Sequence, residues 1–152
     1  MTNITIENLF IILFILLLLS AFFSGAETSL MSVNRYKLKH KFKTGDKSAA
    51  RVHFLVANPD KTLGLILLMN NFVNILASAI STLIAIQLYG EAGVAISVIM
   101  LTIVILIFAE VTPKTFAALY PDKIAYPVSW IVYPLMKLFS PIVLIINLIA
   151  KV

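Results

Sequence analysis

Cysteine is absent from this sequence, and charged residues are scarce. Without cysteine, disulfide frameworks and thiolate metal sites are excluded. Only 12% of the residues are charged and 61% are hydrophobic, whereas about a quarter of the residues of a soluble domain carry charge. A soluble domain does not fit this balance. We therefore predict a membrane protein whose 152 residues form one compact membrane domain.

Histidine, acidic residues and catalytic motifs are equally sparse. Both histidines lie in one polar segment, and HExxH, GxGD and nucleophile-elbow patterns do not occur, so we do not expect an enzyme. The net charge of +5 is concentrated in that same segment between apolar runs, so it does not indicate nucleic-acid binding. The N-terminus has no basic region and no small-residue cleavage site, so we expect the first apolar run to be retained as a helix.

Three apolar runs are long enough to cross a bilayer as helices, at about residues 9–30, 62–88 and 94–119. The polar segment between the first two, residues 34–61, holds eight of the twelve lysines and arginines. Basic loops stay cytoplasmic and attract anionic membrane lipids. The sequence therefore predicts an all-α membrane protein with three transmembrane helices, an external N-terminus and a cytoplasmic basic loop.

The last segment, about residues 122–151, is apolar but contains prolines 127, 134 and 141. A seven-residue spacing returns to nearly one helical face, which also carries Lys123, Trp130 and Lys137. This pattern favours a proline-kinked juxtamembrane helix that lies along the cytoplasmic interface. The alternative is a fourth span, which would place the C-terminus outside.

A carboxylate, Glu110, ends the third apolar run, three residues before Pro113. An ionised carboxylate within hydrocarbon costs at least ~3 kcal/mol, so it needs a partner. Proline has no N–H, so in an α-helix Pro113 leaves the carbonyl of Ala109 without its donor. Two oxygens at one depth suit a hard cation; the alternative is that the helix ends here, at the headgroups.

Polar residues in the other two spans reach a similar depth. Asn70 and Asn74 share one helical face, and Ser24 follows the apolar part of the first span. At ~1.5 Å of rise per residue, all of these residues fall within a few ångströms of Glu110. An all-oxygen set favours Mg²⁺, Ca²⁺, Na⁺ or K⁺ over zinc or copper. The alternative is that these residues only join the helices by hydrogen bonds.

Three motifs in order, SAFFSGAET at 20–28, MNNFVN at 69–74 and AEVTPK at 109–114, resemble the membrane domain of the CorC/cyclin M family of magnesium transporters. The resemblance covers essentially the whole chain. It implies a homodimer of three-span subunits in the plasma or inner membrane, with a belt of juxtamembrane helices. It also implies Mg²⁺ export coupled to Na⁺ entry. The implied Mg²⁺ ligands are Ser24, Asn70, Asn74 and Glu110, with the backbone carbonyls near Gly25 and Ala109 as further candidates.

The chain departs from this family pattern at its C-terminus and at Glu27. Family members usually continue into cytosolic CBS nucleotide-binding modules, whereas this chain stops at Val152, as a piece of a longer protein would. Regulation by ATP is therefore not assigned to these residues. Glu27 stands where some relatives carry a neutral residue, and the alternatives that Glu110 alone carries the negative charge of the ion site or shares it with Glu27 stay open. A competing function is a membrane anchor that dimerises a cytosolic CBS-type module and carries no ions.

Overall fold

The computed structural model describes residues 5–151, and every regular element in that range is a helix. Two helical stretches are long and apolar enough to cross a membrane, Ile6–Ser32 and Pro59–Leu119. A bent third stretch, Pro121–Lys151, meets the same criterion only if its two limbs count as one span. The prediction of an all-α membrane protein is thus confirmed.

The first helix, α1 (Ile6–Ser32), divides into a largely exposed half and a packed half. Thr5 caps its N-terminus, with its hydroxyl oxygen 3.3 Å from the N–H of Asn8. The N-terminal half exposes large apolar side chains such as Phe14, which is 62% exposed. The C-terminal half is mostly buried because small residues there let neighbouring helices approach closely.

The stretch Pro59–Leu119 folds back on itself as a helical hairpin. Helix α4 (Pro59–Tyr89) ends at Gly90, whose positive φ of 69° starts a short 3₁₀ turn, and α5 begins at Gly93. A Cβ atom at Gly93 would lie only 3.0 Å from the carbonyl oxygen of Ala85, so glycine is required for the close turn. Further along the hairpin, the hydroxyls of Ser81 and Ser97 are 3.1 Å apart.

The second arm of the hairpin is not a uniform α-helix. Helix α5 (Gly93–Val104) passes into a π-helical segment, Ile105–Val111, followed by α6 (Thr112–Leu119). The N–H of Thr112 donates to the carbonyl of Ile107, five residues back. In this wider register, an N–H at position 113 would donate to the carbonyl of Phe108, whereas in an α-helix it would donate to the carbonyl of Ala109. Proline has no N–H, so the carbonyl that Pro113 leaves without a donor in this register is that of Phe108 and not that of Ala109. Both residues lie in the segment that contains Glu110.

The basic segment forms two short helices where a loop was expected, α2 (Arg35–Lys43) and α3 (Lys47–Ala57). Each begins at a side-chain cap. The Asn34 carboxamide oxygen accepts the N–H groups of the first turn of α2, and the Asp46 carboxylate does so for α3.

The last helix, α7 (Pro121–Lys151), bends by 77° between its limbs Pro121–Leu138 and Ser140–Lys151. Pro141 has no N–H for the carbonyl of Lys137, which weakens the helix across the bend. The first limb packs on α3, where the rings of Tyr133 and Phe54 meet edge to face at 5.3 Å. The bend fits the proline-kinked helix predicted from the sequence, and its position along the membrane interface stays a prediction.

Two contacts fix the directions of the helices. The Thr62 hydroxyl donates to the carbonyl of Leu55 at 2.7 Å, and α3 also packs on α1, so the end of α1 and the start of α4 lie on the same side. The backbone N–H of Asn34 donates to the Asp122 carboxylate at 3.1 Å, which brings the start of α7 to that side as well. Helix α1 therefore runs antiparallel to α4 and parallel to α5 and α6.

Candidate ion-binding site

Ser20 of α1 contacts Asn70 and Asn74 of α4, the two asparagines that the sequence predicts as ion ligands. Its side chain is fully buried, and its hydroxyl oxygen lies 2.6 Å from the Asn74 carboxamide oxygen and 3.1 Å from that of Asn70. A hydroxyl has one hydrogen to donate, so the two acceptors share it. Both amides consequently present their oxygens, rather than their NH₂ groups, toward α1.

Glu110 approaches the same asparagine from the other arm of the hairpin. Asn74, Thr102, Ile105, Leu106 and Glu110 line one cavity of about 290 Å³. The Thr102 hydroxyl donates to the carbonyl of Val98 at 2.7 Å, so its oxygen keeps lone pairs for other partners. The cavity thus brings an amide, a hydroxyl and a carboxylate together within otherwise apolar walls.

Contact between Gly25 and Pro113 sets the relative height of α1 and α6. A Cβ atom at Gly25 would lie 3.8 Å from the carbonyl oxygen of Pro113, so the two residues are at the same level. Glu110 is three residues earlier, which makes it level with Phe22 on the parallel helix. At ~1.5 Å per residue, Glu110 lies about 3 Å along the axis from both Ser20 and Ser24.

Ser24, the serine predicted as a ligand, lies one turn further along α1 than Ser20. It is fully buried, and within residues 5–151 its hydroxyl has no hydrogen-bond partner. A buried hydroxyl without a partner costs about 1–3 kcal/mol. The structure therefore brings Asn70, Asn74 and Glu110 to one level, but it pairs the amides with Ser20 and leaves the Ser24 oxygen available.

Lys114 is the charge nearest to Glu110. Its ammonium nitrogen lies 3.6 Å from a Glu110 carboxylate oxygen, one helical turn away, and both side chains are partly exposed, at 42% and 31%. Glu27 is half-buried and lies five residues beyond the level of Glu110, about 7 Å along the axis. In the part of the chain that the structure describes, no three His, Cys, Asp or Glu side chains cluster. Neutral oxygens therefore dominate the site around a single carboxylate.

Ser20 and Thr102 are the two polar residues that the sequence-based site left out. Ser20 was recognisable, because it precedes Ser24 by one turn on the same polar face. Thr102 is eight residues before Glu110, a spacing that two turns of helix bring back to the same face. The π-helical segment Ile105–Val111, in which Glu110 lies, has no sequence pattern from which that alignment could have been predicted.

The chain matches known proteins over nearly its whole length. The family model for the cyclin M transmembrane N-terminal domain matches residues 11–152. The UPF0053 inner membrane protein YfjD of Escherichia coli is 53% identical over 133 residues, which is 88% of this chain and 31% of that protein. A UPF0053 protein of Haemophilus influenzae is 47% identical over 151 residues, 99% of this chain and 36% of that protein.

A more distant relative has a name that states a cargo. The polyamine export protein of Haemophilus influenzae is 31% identical over 150 residues, which is 90% of this chain and 35% of that protein. The chain thus spans about a third of the length of these curated relatives. Because the family model covers nearly all of its residues, this chain belongs to the family of cyclin M transmembrane N-terminal domains.

Proposed function

We propose that this chain is the ion-translocating domain of a magnesium exporter. The observation that carries the proposal is the convergence of Ser20, Asn70 and Asn74 with Glu110 at one level of the helix bundle. Polar residues that served only to join helices would pair off wherever two helices touch. Here Ser20 joins both asparagines, and one of these, Asn74, lines a cavity together with Glu110, which supports a shared site.

The chemistry of these oxygens suits Mg²⁺ as the cargo. Mg²⁺ prefers a near-octahedral shell of oxygens at about 2.0–2.1 Å and gives up its water reluctantly. The two amide oxygens, the Glu110 carboxylate and the unpaired hydroxyl of Ser24 supply much of such a shell. Carbonyls of the π-helical segment near Ala109 and of the backbone near Gly25 are candidates for the remainder.

The charge of the site also fits reversible binding. One carboxylate compensates only half of the charge of a divalent ion, so the ion is held less tightly than by several acids. Lys114 neutralises Glu110 when no metal ion is bound, and a cation would have to displace it. Na⁺ prefers oxygen ligands as well and would compete for Glu110, which gives coupling to Na⁺ entry a physical basis.

Movement between inward-open and outward-open forms needs a weak point in the helices near the ion. The π-helical segment ends beside Pro113, and Gly25 of α1 lies against that proline. Glycine and a missing helix donor both lower the cost of bending. We place the cytoplasm at the basic side, where Glu27 lies between the site and the ends of the helices, and we assign the domain to a plasma or inner membrane as a homodimer.

Two other functions compete with magnesium export. The relative named as a polyamine export protein makes an organic polycation a second cargo, because protonated amines donate hydrogen bonds to the same amide and carboxylate oxygens. The other competitor is a non-transporting anchor that dimerises a cytosolic CBS-type module.

Transport by the purified chain in liposomes separates these functions. Vesicles that contain a Mg²⁺-sensitive dye are given a Na⁺ gradient, and Mg²⁺ flux is measured for the unchanged chain, Glu110→Gln and Asn74→Leu. Asn71→Ala is the matched control, because this neighbouring amide is exposed and outside the Ser20 cluster. We expect a loss of at least ~10-fold in the two site variants and none in the control.

The same vesicles distinguish the competing functions. Inhibition of Mg²⁺ flux by putrescine, together with uptake of labelled putrescine, would indicate the polyamine cargo. Equal Mg²⁺ flux in all variants and in protein-free vesicles, with no heat of Mg²⁺ binding in calorimetry, would support the anchor.

A further inference from the structure

A second polar cavity lies far from the ion site, between the two short helices of the basic segment. It has a volume of about 380 Å³ and is lined by side chains of α2 and of the C-terminal half of α3. Arg35, Lys39 and Lys43 follow one another at four-residue intervals, so they project from the same face of α2. His53 of α3 completes the polar part of the lining.

The cations of this cavity have no acidic partner among the residues that the structure describes. No carboxylate lines the cavity, and the ion pairs among residues 5–151 are Lys114–Glu110 and Lys151–Asp60, both elsewhere. Like charges four residues apart on a helix repel one another. Arg35 is also at the N-terminal end of α2, where the helix dipole disfavours a positive charge. An anion placed among the three cations would relieve all of these repulsions.

The remaining surface of the cavity is apolar. Leu38 and Val56 form its floor, and the ring of Phe42 stacks on that of His53 with centroids 4.3 Å apart and planes 10° apart. Phe42 remains 42% exposed at the edge of the cavity. A small hydrated anion gains nothing from such a surface, whereas an anion that carries a hydrocarbon chain does.

The position of the cavity in the chain matches the depth of lipid headgroups. Two residues connect the end of α1 to the start of α2, and one residue connects the end of α3 to the start of α4. Both short helices are therefore held at the ends of the helices that can span a membrane. Lys41, on another face of α2, stacks over the ring of Tyr126 of α7 at 4.4 Å, which fixes α2 against the rest of the domain. Aromatic and basic residues are typical of the interface between membrane and water.

We propose that this cavity binds the headgroup of an anionic phospholipid. The phosphate lies among Arg35, Lys39 and Lys43, and the glycerol and first acyl carbons pack on Phe42 and Leu38. This proposal concerns a surface separate from the ion site, so it stands or fails independently of the transported cargo.

Native mass spectrometry of the full chain in detergent tests the proposal. The protein is mixed with equal amounts of dioleoyl-phosphatidylglycerol and dioleoyl-phosphatidylcholine, and the lipid retained per chain is counted. The test variant carries Arg35→Gln, Lys39→Gln and Lys43→Gln. The matched control carries Lys37→Gln, Lys47→Gln and Lys61→Gln, which removes the same charge from exposed positions outside the cavity.

We expect the unchanged chain and the control to retain one phosphatidylglycerol in preference to phosphatidylcholine. The cavity variant should lose roughly 100-fold in apparent affinity for phosphatidylglycerol, because each of the three basic residues near an anionic lipid contributes about 5-fold. Circular dichroism checks that the variant keeps its helices, and Phe42→Ser, which keeps all of the charges, should also weaken lipid retention.

Two results would overturn the proposal. Equal loss in the cavity variant and the control would mean that net charge alone attracts the lipid. Complete displacement of phosphatidylglycerol by an equal concentration of inorganic phosphate, with no effect of Phe42→Ser, would mean that the cavity holds a free anion and not a lipid.

Discussion

The hydroxyl of Ser20 lies 2.6 Å from the carboxamide oxygen of Asn74, and this hydrogen bond joins α1 to the face of α4 that carries both asparagines of the candidate ion site. Ser20 is fully buried and Asn74 is half-buried, so the bond is partly shielded from water. It also determines which end of the amide faces the cavity that Asn74 shares with Glu110. In the proposed magnesium site, Ser20 is therefore a positioning residue for the amide oxygens.

Ser20→Ala should weaken Mg²⁺ binding without removing any charge. The two amides lose the donor that orients them, and loss of such a supporting hydrogen bond typically costs about 10-fold or more in metal affinity. Calorimetry with Mg²⁺ on the purified chain measures this change. Ser29→Ala is the matched control, because Ser29 is equally buried on α1 but donates only to the carbonyl of Ala26. Equal Mg²⁺ affinities in Ser20→Ala and Ser29→Ala would mean that Ser20 does not position the oxygens that bind the ion.

Ser24→Ala should have opposite effects on stability and on ion binding. The Ser24 hydroxyl is buried without a partner, so its removal should stabilise the metal-free protein by about 1 kcal/mol, observed as a higher thermal midpoint. If Ser24 is a ligand, the same variant should show a smaller rise of that midpoint when Mg²⁺ is added. A higher midpoint with an unchanged Mg²⁺ response would show that Ser24 only packs.

Sequence patterns predicted most of the helices because length and hydrophobicity determine which segments cross a membrane. The turn at Gly90 and Gly93, the proline-bent last helix and the helical faces of Asn70 and Asn74 all follow from local rules. Helix α2 was missed because five basic residues in nine obscured its Asn34 cap, and its single buried anchor, Leu38, gives no periodic signal.

The candidate site was predictable only in part. Counting residues gives the approximate depth of a side chain in a helix, but the packing between helices determines which side chains meet. Counting residues placed Ser24 at the level of the asparagines, but the packing of Gly25 against Pro113 makes Ser20 equally close. The π-helical segment that contains Glu110 changes how this residue aligns with Thr102, and no sequence pattern predicts that segment.

Lys114→Met should strengthen Mg²⁺ binding by about 2-fold. Glu110 and Lys114 form a partly exposed ion pair one helical turn apart, and such a pair contributes about 0.3–0.5 kcal/mol. In the Lys114→Met variant, a cation binds to Glu110 without first displacing the lysine. Calorimetry at low salt measures the affinity, and the difference from the unchanged chain should shrink as salt is added. Lys137→Met is the control, because that exposed lysine lies over the Tyr133 ring on another helix. Weaker binding in Lys114→Met would mean that the ammonium orients the carboxylate rather than competing for it.

Gly25→Ala should slow transport while leaving the fold intact. The added methyl group would meet Pro113 at 3.8–3.9 Å, an ordinary contact distance, so the resting structure can accept it. Alanine in a helix interior is more favourable than glycine by about 0.5–1 kcal/mol, so the thermal midpoint should stay or rise. Mg²⁺ flux in liposomes should nevertheless fall, because the stiffer α1 resists bending beside the ion.

Gly93→Ala provides the contrast, since its methyl group would lie 2.9–3.0 Å from atoms of Tyr89 and Ala85 and should lower the midpoint. Unchanged Mg²⁺ flux in a stable Gly25→Ala protein would mean that α1 does not bend at Gly25. The helices would then bend at the π-helical segment beside Pro113.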